Sequence, residues 1–170
     1  GLGYPGGPEI DRMANLAPHC DAVSFPRGRP KPGSPALGGL KADLCVSFSG
    51  LKTALMYHLR NHAPKNESEV SLIAASYREA IVDSIAERTQ TALRLEKYQT
   101  MCVGGGVSLN GRLRAKLAEV CAGAGVRLLL AEPKYCGDNA AMIAGLAGAG
   151  GGLRGETLDI DVNPALEAGD

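Results

Sequence analysis

Met101 to Asn110, MCVGGGVSLN, sets an apolar run directly against three glycines and then the start of a helical pattern. The run reads as a buried strand. From Leu109 onward, Leu113, Leu117 and Val120 recur at helical spacing, Gly123-Ala124-Gly125 supplies a stop, and the run Val126 to Ala131, apolar but for Arg127, reads as a parallel strand covered on both faces. Strand, helix and strand in this order predict a right-handed βαβ crossover and a small parallel sheet, hence an α/β fold. Ligands in such sheets lie off the carboxyl ends of the strands. Gly104, Gly105 and Gly106 stand at one such end, and Cys136-Gly137-Asp138-Asn139, near the start of a further helix, stands at the other. A residue without Cβ lets the main chain approach a flat base or a phosphate, although a tight turn with no ligand has the same requirement. Neither the dinucleotide fingerprint G-x-G-x-x-G nor a Walker loop is present; Ser49-Gly50-Leu51-Lys52-Thr53 lacks the upstream glycine.

The chain has 170 residues, 45% of them hydrophobic, which suffices for one core. Lysine plus arginine equal aspartate plus glutamate at 18 each, so nucleic-acid contact requires a local patch rather than a global charge excess. Five cysteines at irregular spacing fit a reducing compartment, and no apolar run is long enough to cross a bilayer. A soluble cytoplasmic protein is expected, and the opening at Gly1 suggests a fragment of a longer one.

Working outward, Pro8 to Ala17 is expected as a helix with Ile10, Met13, Ala14 and Ala17 on one face. Residues 23–39 recur in proline and glycine around Arg27, Arg29 and Lys31 and read as an exposed basic loop, its cations either open to nucleic-acid phosphates or simply solvated. Leu44 to Phe48 is a strand candidate, followed by a helix N-capped by Ser49 with Leu51, Leu55 and Leu59 in a stripe. The clearest amphipathic helix follows Ala63 to Glu69: Ile73, Tyr77, Ile81, Ile85 and Thr89 form its core stripe, with charges opposite. Asn139 to Gly148 is an Ala-rich helix ended by Gly148 to Gly152, Leu158 to Val162 an edge strand, and 153–170 an extended tail.

Five stretches, in order, carry a resemblance: GYPGGPEID at Gly3 to Asp11, FPR at Phe25 to Arg27, SFSGLKT at Ser47 to Thr53, GGGVSLN at Gly104 to Asn110, and CGDNAAMIA at Cys136 to Ala144. Together they resemble the tRNA N(6)-adenosine threonylcarbamoyltransferase family, formerly described as O-sialoglycoprotein endopeptidases. The resemblance implies that 1–170 is the carboxyl-terminal portion of such a domain. The implied fold is the carboxyl-terminal lobe of an actin-like (ASKHA, ribonuclease H-like) α/β architecture, a small parallel or mixed sheet covered by helices.

The implied reaction moves threonylcarbamoyl from threonylcarbamoyl-adenylate to the adenosine beside the anticodon of tRNA, with one divalent metal, iron ahead of zinc, as Lewis acid. By motif, Gly7, Asp11, Asn110, Gly105 and Gly106 would contact the nucleotide, and Asp138 would be a metal ligand. Implied partners are tRNA, other subunits of the threonylcarbamoyladenosine synthesis complex, and the amino-terminal lobe that carries the family's H-x-x-x-H pair. Each residue also has a plain structural reading: Gly7 ahead of a helix, Asp11 in a helix's first turn, and Asn110 and Asp138 as N-caps. His58 and His62 show i, i+4 spacing but stand at the wrong place in the family pattern, so they are expected as a surface pair. Two departures stand out. Gly137 replaces the usual threonine, and Leu109 replaces the small residue before Asn110. Alternatives are an actin-like ATPase or kinase lobe, and a non-catalytic scaffold half of a modification complex.

Overall fold

The computed structural model describes residues 1–33 and 41–150. The second part of the 23–39 loop, the edge strand expected at Leu158 to Val162 and the tail at 153–170 lie outside the described residues. The chain divides into two units, Gly1–Gly137 and Asp138–Asp170.

In the first unit, β1 (Thr100–Val103) and β2 (Arg127–Leu130) pair in parallel, with Thr100 opposite Arg127 and Val103 opposite Leu130. The helix between them runs Gly111–Ala124 and ends where Gly125 turns left-handed at φ 68°. The expected βαβ unit is present. Met101, Val103 and Leu128 pack against Val82, Leu113 and Leu117, so one face of the sheet is core. On the other face Cys102 and its register partner Leu129 are exposed, the latter at 44%. Coverage on both faces is therefore not found for β2 among the described residues, because the helices packed on this sheet lie on one side of it.

Among the described residues three helices precede the sheet: α1 (Gly6–Ala14), α2 (Ser49–Asn61) and α3 (Glu67–Leu95); the crossover helix is α4. The first starts two residues before Pro8, since the first turn of a helix leaves its N–H groups unbonded and tolerates proline there. Helix α2 is preceded by Phe48 as its cap residue, so Ser49 is inside the helix and its hydroxyl bonds Ser47 at 3.1 Å. The 29-residue α3 is capped by Asn66, whose Oδ1 accepts from the Glu69 amide at 2.9 Å.

The strand expected at Leu44 to Phe48 is not formed. Its backbone is satisfied elsewhere, which removes the need for a sheet partner. Ser47 N donates to Gly28 O at 2.8 Å, Arg88 Nε donates to Cys45 O at 2.9 Å, and Ala42–Leu44 makes a single 3-10 turn. Gly28 lies at φ 48°, and a Cβ there would come within 3.2 Å of Ser84 Oγ and Val46 Cγ1. A side chain there would be strained at this positive φ and crowd its neighbours, which favours glycine.

The basic loop is likewise tied down over its described part. Arg27 bonds Asp83 at 2.9 Å and Arg29 bonds Glu87 at 2.9 Å, both on α3, while Phe25 is buried against Leu51 and Ala80. Two of the three cations read as open to phosphate are thus held in ion pairs. Helix α3 carries its expected stripe and buries a second set of residues beside it. Its fully buried residues are mostly small, including Ala74, Ala75, Ser76, Ala80 and Ser84, and they let neighbours approach closely. The large stripe Ile73, Tyr77, Ile81 and Ile85 packs against the core as expected, and is only partly covered because it also lines two clefts.

Glu79, 7% exposed, receives Arg112 Nε at 2.8 Å and Nη2 at 2.6 Å, with Lys116 at 3.5 Å. The Arg112 hydrogen bond, above all, holds the Glu79 carboxyl below its ordinary value of 4.5, against the burial that would raise it. A depressed folded-state value stabilises the fold above the unfolded-state value and loses that contribution as pH falls through the folded one. Thermal unfolding midpoints are expected to fall as pH drops from about 5 to about 3, and Glu79→Gln is expected to flatten this dependence. An unchanged slope in that variant would assign the acid sensitivity to other carboxylates. At neutral pH the same variant is expected to cost about 2–3 kcal/mol, because it leaves the Arg112 charge without its counterion.

Candidate functional site

A cleft of about 580 Å³ opens between α1, α3 and the turn that follows β1. Ile10, Ile81, Val82, Ile85, Val107, Leu109 and Leu113 form its apolar walls, and Asp11, Arg78 and Asn110 supply the polar groups, beside the backbone of Gly7 and Gly106. An apolar concavity with few convergent polar groups is the usual form of a small-molecule site.

Each part follows from local structure. Gly105, at φ 87° and ψ 164°, turns the chain out of β1 into a 3-10 turn at Gly106–Leu109. That conformation is open to glycine and strained for other residues. Ser108 braces the turn by donating to Gly105 O at 2.6 Å and contacting the buried Cys136 Sγ at 3.4 Å. Arg114 adds bonds to Ser108 O and to Ala131 O, so the glycine turn is fastened to the end of β2. Gly7, within the first turn of α1, has nothing within 4 Å of where a Cβ would stand. The chain's own packing therefore does not demand glycine there, and space beside the backbone is left at the cleft wall.

Asn110 has two roles in one side chain. Its Oδ1 accepts from Leu113 N at 2.9 Å, which caps α4, and its Nδ2 donates to Asp11 Oδ1 at 2.8 Å. The capping expectation is met, yet it leaves the amide side free to reach across 99 positions of sequence. Asp11 is the sixth residue of the nine in α1, past the first turn that Glu9 occupies, so the helix dipole does not account for it. Its Oδ1 also accepts Arg78 Nη1 at 3.0 Å. Arg78 further bonds Asn15 Oδ1 at 2.5 Å, while its Nε is buried without a partner among the described residues.

Of the expected nucleotide residues, Gly7, Asp11, Gly106 and Asn110 thus line one cleft, and Gly105 shapes the turn without lining it. Leu109, the larger residue at a position where the resemblance has a small one, lines the same wall. Asp138 belongs to the second unit, where it is exposed. There Asn139, rather than Asp138, caps α5 (Ala140–Gly148), accepting from Met142 N at 3.0 Å. Among the described residues no group of three or more His, Cys, Asp or Glu could hold a metal ion, so Asp138 has no described companions for a complete metal site. His58 and His62 stack on each other at 5.2 Å, with His58 edge-on to Phe25, and His19 bonds Asp21 at 2.6 Å.

Arg78 is the cleft residue that sequence patterning misses. Charges on α3 read as a solvated face, but Arg78 lies four residues from both Ala74 and Val82, which are 7% and 3% exposed. That i, i+4 neighbourhood was the available signal.

Among the described residues no helix is long and apolar enough to cross a membrane. A family profile described as tRNA N6-adenosine threonylcarbamoyltransferase matches residues 1–145. A protein of that name from Anaeromyxobacter sp. (strain Fw109-5) is 41% identical over 164 residues, covering 96% of this chain and 46% of the relative. Another of that name, from Anaeromyxobacter dehalogenans (strain 2CP-1 / ATCC BAA-258), is 39% identical over the same length and with the same coverage. The chain spans about half the length of the curated relatives it matches. With the profile covering most of the chain, and the motif residues of α1 and of the glycine turn meeting in one cleft, the chain belongs to the tRNA N6-adenosine threonylcarbamoyltransferase family, whose fold is actin-like.

Proposed function

We propose that this chain holds the adenylate half of threonylcarbamoyl-adenylate in a tRNA-modifying transferase. The observation that carries this reading is the convergence of Gly7, Asp11, Gly106 and Asn110 on one cleft from elements far apart in sequence. In this reading the base lies on the apolar walls, against the open backbone of Gly7 and beside Gly106. The Asp11 carboxylate accepts from ribose hydroxyls. Asn110 retains a second amide hydrogen and a second Oδ1 lone pair for the ligand, since its two bonds within the protein use one of each.

Holding the adenylate this way presents the carbamoyl carbon to the exocyclic amine of the tRNA adenosine. A C–N bond forms, the anhydride C–O bond breaks, adenosine monophosphate departs and the amine loses a proton. No side-chain nucleophile is needed; orientation does most of the work. Asp138 is proposed as one ligand of a divalent metal, iron ahead of zinc, its other ligands lying outside the described residues. Such a metal would withdraw charge from the carbamoyl and phosphate oxygens. Transfer RNA, an amino-terminal lobe and other subunits of a threonylcarbamoyladenosine synthesis complex are the proposed partners, and the cytoplasm is the proposed location.

The test supplies full-length protein and its complex with threonylcarbamoyl-adenylate and tRNA. The expected result is one adenosine monophosphate released for each adenosine modified. Steady ATP hydrolysis without tRNA, and no modified adenosine, would instead make the protein an actin-like ATPase.

A further inference from the structure

We propose that Arg78 is a positioning residue that sets the Asp11 carboxylate for ligand binding, an inference that rests on the adenylate reading of the cleft. Arg78 Nη1 at 3.0 Å and Asn110 Nδ2 at 2.8 Å both bond the same oxygen, Asp11 Oδ1. Two donors on one oxygen fix the plane of the carboxylate and keep Oδ2 available as an acceptor for a ligand hydroxyl. The bond from Arg78 to Asn15 Oδ1 at 2.5 Å anchors the guanidinium itself at the carboxyl end of α1.

The placement is not one that packing would select. Arg78 sits between Ala74 and Val82 along α3, and its Nε is buried with no partner among the described residues. A leucine or methionine would fill the same space without desolvating a charge or orphaning an N–H. The guanidinium also offsets the Asp11 charge inside a cleft proposed to take an anionic nucleotide, where an uncompensated carboxylate would repel the phosphate.

Titration of full-length protein with adenosine 5′-monophosphate tests this, using Arg78→Met, which keeps the apolar stem, and Arg78→Lys, which keeps one donor. Arg78→Met is expected to weaken binding about tenfold, and Arg78→Lys to recover part of that loss. In an Asp11→Ala background neither substitution is expected to weaken binding further, a non-additivity that a packing role would not produce. Wild-type affinity in Arg78→Met, or an equal loss with and without Asp11, overturns the proposal while the adenylate site stands. Full affinity in Asp11→Ala overturns the adenylate reading and this inference with it. Should Arg78→Met fail to fold, the same comparison made with Arg78→Lys decides between these outcomes.

Discussion

Asn110→Asp is expected to fold with α4 intact and to bind adenosine 5′-monophosphate about a hundredfold more weakly than the wild-type protein, a loss of about 2.7 kcal/mol. Aspartate caps a helix as well as asparagine does, so the bond to Leu113 N at 2.9 Å survives the change. What disappears is the donor. The Nδ2 that bonds Asp11 at 2.8 Å becomes an oxygen, and two carboxylates then compete for Arg78. Either one takes up a proton or they separate, and both outcomes disturb the acceptor proposed for the ribose. Asn110→Ala combines this loss with that of the cap, and its melting temperature is expected to fall further, the cap being worth about 1 kcal/mol. Calorimetric titration read beside circular dichroism melts separates the two roles. A folded Asn110→Asp protein that binds the nucleotide normally would remove the ligand from this cleft.

Leu117→Ala is expected to destabilise the first unit by about 3–4 kcal/mol, a large share of the roughly 5–15 kcal/mol that holds a domain folded. Leu117 is 1% exposed and packs with Val82 and Leu113 beneath Met101, Val103 and Leu128. Removing its three outer carbons leaves a void where α3, α4 and the sheet meet, and the strands restrain the collapse that would close it. Leu113 would be a poorer probe because it also lines the cleft. The matched control is Leu129→Ala, on the uncovered face of the sheet, expected to shift stability by no more than about 0.5 kcal/mol. Urea unfolding followed at constant slope checks both. A small effect at Leu117 would mean that the βαβ unit adds little to the cooperative core.

How far the sequence was legible depended on whether a residue's task was local. The βαβ unit was legible because two apolar runs, a glycine turn and a Gly125 stop each declare themselves within a few positions. The cleft residues Asp11 and Asn110 came only through motif resemblance, since neither position differs locally from an ordinary helix residue or N-cap. Arg78 escaped altogether. Its partners Asp11 and Asn15 stand 67 and 63 positions away, and nothing in a helical wheel reports contacts at that separation. Leu44 to Phe48 failed for the opposite reason: its local pattern suits a strand, but Gly28 O and the Arg88 side chain satisfy its backbone first. The large apolar stripe of α3 faces the core as its periodicity implies, but periodicity shows which face is apolar and not that two clefts open along it.

The bond between Asn110 and Asp11 closes 99 positions of chain, and the groups it joins sit on α1 and at the head of α4, with α3 between them through Arg78. No partly folded segment contains the whole constellation. A nucleotide held there would have no affinity for local fragments, so its binding free energy would act on the cooperative transition as a whole, about 2.7 kcal/mol at a hundred times the dissociation constant. Amide hydrogens in α1, α3 and α4 would then slow their exchange together on nucleotide addition, making occupancy of the cleft a reporter of the folding of the first unit rather than of local order.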